Sequence, residues 1–228
     1  MVDVVISLGG SLLNPNEPDT NYIKEIAGLL LKMGKRYKLA VVTGGGNAAR
    51  VYARAVRRAG GNEFLADESA IIATRQNALL LIAALGKDAY QTVIKNFDQA
   101  AVASTTNKII VMGGTIPGFT TDSDAVLLAE KMGARRVVNL SMIDGIYDSN
   151  PKRNRNAKKY AHLTFEKLVE LASRYDKRKA GEHFVFDLFA CKIIARSKIE
   201  THFVHGRRLG DVERAIKGEK HSGTMVKG

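Results

Sequence analysis

Val4-Val5-Ile6-Ser7-Leu8-Gly9-Gly10-Ser11 is an apolar run of strand length that stops at two glycines. Its length and lack of helical periodicity predict a buried strand. The glycines predict a turn in which the backbone can approach whatever lies beyond the strand end. Downstream, Tyr22, Ile23, Ile26, Leu29 and Leu30 recur at helical spacing, so a helix follows the strand. The rhythm then repeats: residues 39–42 form a second apolar run that ends in Gly44-Gly45-Gly46-Asn47, and a helical stretch begins near Ala48. Asn47 is its expected N-cap.

Further along, residues 71–85 are rich in alanine and leucine and predict a mostly buried helix. Strand-like runs follow at 92–94, 109–112, 137–140 and 201–204, and helical stretches at 124–132, 165–174, 188–196 and 211–216. This alternation predicts an α/β fold with a mainly parallel sheet and helices on both faces. The carboxyl ends of parallel strands share one edge, where ligands bind. A third glycine turn, Gly113-Gly114-Thr115-Ile116-Pro117-Gly118, ends another predicted strand, so three such turns are expected on that edge. Glycine turns leading into helices suit phosphate. Neither Gly-x-Gly-x-x-Gly after the first strand nor Gly-x-x-x-x-Gly-Lys-Ser/Thr is present, which disfavours a dinucleotide-binding dehydrogenase and a P-loop enzyme.

With 228 residues, 45% of them hydrophobic, the chain can bury the core of one domain or of two closely packed lobes. The net charge of +12 favours polyanions or nucleotides. Aromatic residues make up only 7% and no nucleic-acid module is recognisable, so no nucleic-acid partner is expected. No apolar stretch approaches the roughly 20 residues of a membrane span, and the N-terminus has no secretory pattern. Cys191, the single cysteine, lies in an apolar run as a small buried hydrophobe, which with the missing signal suits a reducing cytoplasm. His162, His183, His202, His205 and His221 show no metal-ligand spacing, and no protein metal site is expected. The basic stretches at 152–159 and 174–179 read as solvated loops. Arg54, Arg57 and Arg58, which share a helix face with Arg50, read as a solvated or subunit-facing basic face. Asp122 and Asp124 read as acids complementing a helix dipole, and Arg75 as a long side chain that snorkels or pairs from an apolar helix.

Taken in order, Ser7-Leu8-Gly9-Gly10-Ser11, Thr43-Gly44-Gly45-Gly46 with Arg50, residues 113–118 with Thr120-Thr121-Asp122, and Asp144-Gly145-Ile146-Tyr147 with Asn150-Pro151 resemble the amino acid kinase superfamily, most closely its archaeal-type UMP kinases. Lys179-Ala180-Gly181, residues 187–192 and Gly223-Thr224 extend the resemblance over nearly the whole chain. It implies a three-layer α/β sandwich and a single domain, 1–228, with an acceptor lobe over about 1–134 and an ATP lobe over about 135–228. It also implies transfer of the γ-phosphoryl of ATP to UMP with Mg²⁺, in pyrimidine nucleotide synthesis, by a homohexamer built as a trimer of dimers. On the ATP and transfer side it implies Gly9, Gly10, Gly46, Arg50, Ser141, Tyr147 and Asn150. On the UMP side it implies Gly45, Asp67 and the loop Thr115, Ile116, Pro117, Gly118, Phe119, Thr120 and Thr121.

The chain departs from the family pattern where many members carry a lysine two residues before the first glycine; here that residue is Ser7. Lys192 and Arg50 are then the candidate catalytic cations. Asp187 completes the candidate catalytic set; it lies about 140° from Lys192 around an ideal helix and is expected to cap that helix. Phe119 stands where histidine is frequent, and Met142 where asparagine is. The alternatives are a superfamily kinase acting on another small phosphate or acid, or a non-catalytic relative that binds nucleotide or an oxyanion.

Overall fold

The computed structural model describes residues 1–151, 154–176 and 186–228. The Lys179-Ala180-Gly181 match, His183, and parts of the two basic stretches at 152–153 and 177–179 lie outside the described residues.

The chain runs β1 (Val4–Leu8), α1 (Gly10–Leu13), α2 (Thr20–Gly34), β2 (Leu39–Thr43), α3 (Gly46–Arg58), α4 (Glu63–Leu85), α5 (Phe97–Thr106), β3 (Ile109–Met112), α6 (Thr121–Met132) and β4 (Arg136–Ser141). It continues through β5 (Ile146–Tyr147), β6 (Lys159–Tyr160), β7 (His162–Leu163), α7 (Phe165–Asp176), α8 (Leu188–Ser197), β8 (Glu200–His205), α9 (Leu209–Lys217) and β9 (Thr224–Val226). One sheet of seven strands has the order β3-β2-β1-β4-β8-β9-β7, and β5 and β6 form a separate two-stranded ribbon. All neighbours in the large sheet are parallel except β8 and β9.

The alternation of side chains along a strand divides the interior into two cores. Val4, Ile6 and Leu8 of β1 face a layer built from α2, α4 and α9. Val5 faces the other layer, of α5, α6, α7 and α8. Burying a residue such as Ile6 or Leu8 completely contributes about 1.5–3 kcal/mol. The sheet therefore forms the middle of a three-layer sandwich. β1 pairs with β2 on one side and β4 on the other, so the direction of strand addition reverses there and a crevice opens beyond the strand ends.

Several local expectations change. Asn47 does not cap α3: Gly45 holds the N-cap position without a side-chain bond. Asn47 instead donates from its backbone N to Asn14 O and from Nδ2 to Asn16 O, tying the loop before α2 to α3. Residues 92–94 form no strand but one bridge, Ile94 to Met112, before Asn96 caps α5. The helix expected at 71–85 begins earlier, at Glu63, with Asn62 as its cap. By length and composition α4 could cross a membrane, a signal that core helices also give. One side of it, with Ala78, Leu81, Ile82 and Leu85, packs in the core. The other leaves Ile72 56% and Leu79 57% exposed. Cys191 is buried as expected, and burial pushes its thiol pKa well up.

Candidate active site

The first two glycine turns meet backbone to backbone at the C-terminal end of β1. A Cβ on Gly10 would lie 2.5 Å from Gly44 C and 2.7 Å from Gly45 N, so only glycine allows the contact. Gly46 takes φ +65°, the left-handed conformation glycine adopts without strain, as α3 begins. The N–H groups of a helix's first turn lack intrahelical partners; here that of Asn47 is taken by Asn14 O. Gly9 takes no part as a donor, because its N–H is held by Leu140 O at 2.8 Å. Its contribution is close packing, since a Cβ there would sit 2.7 Å from the same carbonyl. Arg50, on the exposed side of α3, donates from Nη1 to Ser11 Oγ at 3.3 Å and so reaches across to the turn after β1.

The third turn is fastened from α4 and α6. Thr74 Oγ1 accepts from Gly114 N at 2.7 Å, and Arg75 donates to Gly114 O and Thr115 O. Arg75 thus serves carbonyls of the loop, and its charge also acts on the nearby Asp124 carboxylate. Asp124 accepts from both Thr115 N and Thr115 Oγ1. Asp67 accepts from Gly118 N at 2.9 Å, which puts it beside the loop 115–121. Ile116 and Phe119 stay exposed, and Thr120 caps α6 through Ser123 N. Pro117 lies between these anchors and Thr121 opens the helix.

Asp122 and Asp124 were expected only to complement a dipole; both have specific partners. The period of β1 puts Ser7 on the face of Val5, towards α6, and the register pairs it with Asn139 of β4. Ser7 Oγ donates to Asp122 Oδ1 at 2.6 Å and Asn139 Nδ2 to the same oxygen at 3.2 Å. Burial, with the nearby Asp187 charge, raises the Asp122 pKa to about 7 against the pull of those two donors. Burial likewise raises Asp124 to about 6 against its bonds from Thr115.

Asp187 caps α8 as expected, accepting from Ala190 N at 2.8 Å. It also accepts from Thr120 Oγ1 at 2.5 Å and from Ser123 Oγ at 3.0 Å. Asp187 and Lys192 do not stack on one helix face, yet both line a cavity of about 350 Å³ with Leu188 and Phe189. Lys192 is exposed there.

On the opposite side of β4, Ser141 Oγ bonds the backbone of Ile143. Tyr147 donates its hydroxyl to Asp144 at 2.6 Å, and Lys159 and Arg208 also pair with Asp144. Burial works to raise the Asp144 pKa, but these bonds and charges hold it below its ordinary value. Asn150 lies in the turn beyond β5, where its carbonyl accepts from Asn154 N. Ser141 and Tyr147 thus share one corner, while Asn150 sits further along the chain.

Thr74, Arg208, Asp144 and Asn139 were not singled out as site residues. Thr74, Arg208 and Asn139 act through contacts distant in sequence, while Asp144 stands in the quoted Asp144-Gly145-Ile146-Tyr147 stretch but also pairs with Lys159 and Arg208. Among the described residues no group of three or more His, Cys, Asp or Glu could hold a metal ion. His202 is buried, 2.7 Å from His221 and 2.9 Å from Glu200, in a hydrogen-bonded chain that pins the start of β9.

Comparison with known proteins matches this arrangement to a family. The model of the amino acid kinase family matches residues 4–205. The uridylate kinase of Thermococcus kodakarensis is 45% identical over 223 residues, 98% of each chain. That of Pyrococcus abyssi is 41% identical over 226 residues, again 98% of each. The crystal structure of uridylate kinase from Archaeoglobus fulgidus superposes with a TM-score of 0.89 at 41% identity, covering 98% of this chain and 99% of that one. A UMP kinase structure from Bacillus anthracis, at 22% identity and a TM-score of 0.80, shares the fold. With a seven-stranded sheet, merged glycine turns and full-length relatives in agreement, this chain belongs to the amino acid kinase family.

Proposed function

We infer that this chain is an ATP-dependent nucleoside monophosphate kinase that transfers the γ-phosphoryl group of ATP to UMP, giving ADP and UDP. The observation that carries the inference is the contact of Gly10 with Gly44 and Gly45 beside the threonine-bearing loop 115–121. It is supported by uridylate kinases 40–45% identical over 98% of this chain or more. Two phosphate-bearing substrates need donors that converge on a small volume, and in-line transfer asks mainly for positioning and cancellation of charge.

The division of labour follows the two sides of β1. Gly45, Asp67 and residues Thr115–Thr121 take UMP, the threonines offering hydroxyls beside backbone donors. Gly9, Gly10, Gly46 and Arg50 border the transferred phosphates, and Ser141, Tyr147 and Asn150 the adenosine side. Lys192 or Arg50 supplies the positive charge that Ser7 does not. The acceptor lobe is 1–134 and the ATP lobe 135–228, although one sheet runs through both. ATP acts with a divalent metal, which we assign as Mg²⁺. The ion is carried in on the triphosphate, where it offsets phosphate charge.

A subunit contact, in our reading one within a homohexamer of three dimers, is supported by the apolar residues left exposed on α3 and α4: Tyr52, Phe64, Leu65, Ile72 and Leu79. Sedimentation would report it. A cytoplasmic enzyme of pyrimidine nucleotide synthesis fits this reading.

The test is ADP release in ATP and Mg²⁺ with UMP, CMP, isopentenyl phosphate or no acceptor. Selective turnover with UMP is expected. Turnover only with another acceptor, or ATP binding without turnover, overturns the assignment.

A further inference from the structure

Phe119 and Phe189 stack with ring centroids 5.5 Å apart and planes 12° from parallel. One ring belongs to the loop between β3 and α6, the other to the first turn of α8. Neither is a core residue: they are 40% and 43% exposed, among the few large apolar side chains left open to solvent. Two half-exposed rings on separate elements add little to the interior. What they do is fasten one element to the other.

The same two segments are joined by Asp187, which accepts from Thr120 and Ser123 while capping α8. Residues 119–123 are thereby bound to residues 187–189 by a polar contact and an aromatic one side by side. Elsewhere the tip of the loop has slighter support: Gly118 N bonds Asp67, and Phe119 N bonds Ile116 O at a long 3.4 Å. Phe189 also lines the cavity that holds Lys192, so the stack sits next to the candidate transfer cation.

We propose that Phe189 is a positioning residue for the acceptor: by stacking on Phe119 it holds the loop 115–121 in its binding geometry, so that affinity for UMP depends on a side chain of α8 outside that loop. The proposal rests on the assignment of UMP as acceptor. An offset or edge contact between two rings is of a strength that corresponds to about a three- to tenfold change in binding when it is removed. Asp187 keeps the segments together without it, so loss of the ring loosens the loop tip and leaves the fold intact.

Steady-state kinetics of Phe189→Ala, Phe189→Leu, Phe189→Tyr, Phe119→Ala and the double alanine variant test this, with thermal unfolding of each. Expected is a rise of about three- to tenfold in the KM for UMP in both alanine variants and in Phe189→Leu, with the KM for ATP unchanged. Phe189→Tyr keeps the ring and the wild-type KM, and the double variant is no worse than either single one. An unchanged KM for UMP in Phe189→Leu and Phe189→Ala overturns the proposal. So do equal rises for both substrates, or additive effects in the double variant. Absence of UMP turnover in the wild-type chain would instead strike at the acceptor assignment itself.

Discussion

Ser7 Oγ and Asp122 Oδ1 lie 2.6 Å apart although 115 positions separate them in the chain. The bond fastens β1, an inner strand of the sheet, to the start of α6. The Asp122 carboxyl has a pKa raised by burial to about 7, which leaves it partly protonated near neutrality.

Its effect on stability has a definite sign. Asp122 binds a proton more tightly in the folded chain than in the unfolded one, where an Asp titrates near its ordinary value of 3.8. Its contribution is therefore full below that value and is lost as pH rises towards about 7. Asp122→Asn should remove this downward slope. Urea unfolding across that range checks it, and an identical pH dependence in wild type and variant would sink the prediction.

The glycine contact sets a steric limit. Gly10→Ala places a methyl 2.5 Å from Gly44 C, so the two turns must separate. Loss of roughly 1–3 kcal/mol of stability and of most activity is expected. Gly28→Ala, in the middle of α2 with nothing within 4 Å of the added carbon, should stabilise by roughly 0.5–1 kcal/mol. Thermal melts of the two variants, shifted in opposite directions, are the readout.

If Lys192 or Arg50 supplies the charge at the transferred phosphoryl, its replacement by alanine should lower kcat by about 100- to 1000-fold. The other residue's loss is then expected to act mainly on KM. Full activity of both Lys192→Ala and Arg50→Ala would refute the assignment.

Arg75 holds two successive carbonyls, Gly114 O and Thr115 O, from one guanidinium. A lysine ammonium has three N–H donors on one flexible nitrogen and lacks the rigid planar fork by which Nε and Nη2 both meet Gly114 O. Arg75→Lys should raise the KM for UMP several-fold, with about 1–2 kcal/mol lost in unfolding experiments. No change in either would show that the loop is held without Arg75.

What could be read in advance was whatever has a period or a steric signature. Residues 4–8 and 39–42 read as strands because they are almost wholly apolar and of strand length, and the glycine turns read as one edge because each follows a predicted parallel strand. Asp187 could be assigned as a cap because it directly precedes a helical pattern. Asn47 misled because Gly45 starts α3 with no side-chain bond at all. α5 escaped because alanine, serine and threonine give Phe97–Thr106 little amphipathic contrast. The acids of α6 were the larger omission. Nothing near Asp122 announces Ser7, and nothing near Asp124 announces that it will grip Thr115, since both contacts depend on how the turns converge in space.

The pleat of β1 gives that strand something like a reading frame. Val4, Ile6 and Leu8 serve one helical layer, Val5 and Ser7 the other. A slip of one residue would turn Leu8 towards Asp122 and bury the Ser7 hydroxyl among the side chains of α2 and α4. Descendants of this sequence should therefore exchange side chains along residues 4–8 but neither gain nor lose a residue there, and changes in length should accumulate instead in outlying turns such as 14–19.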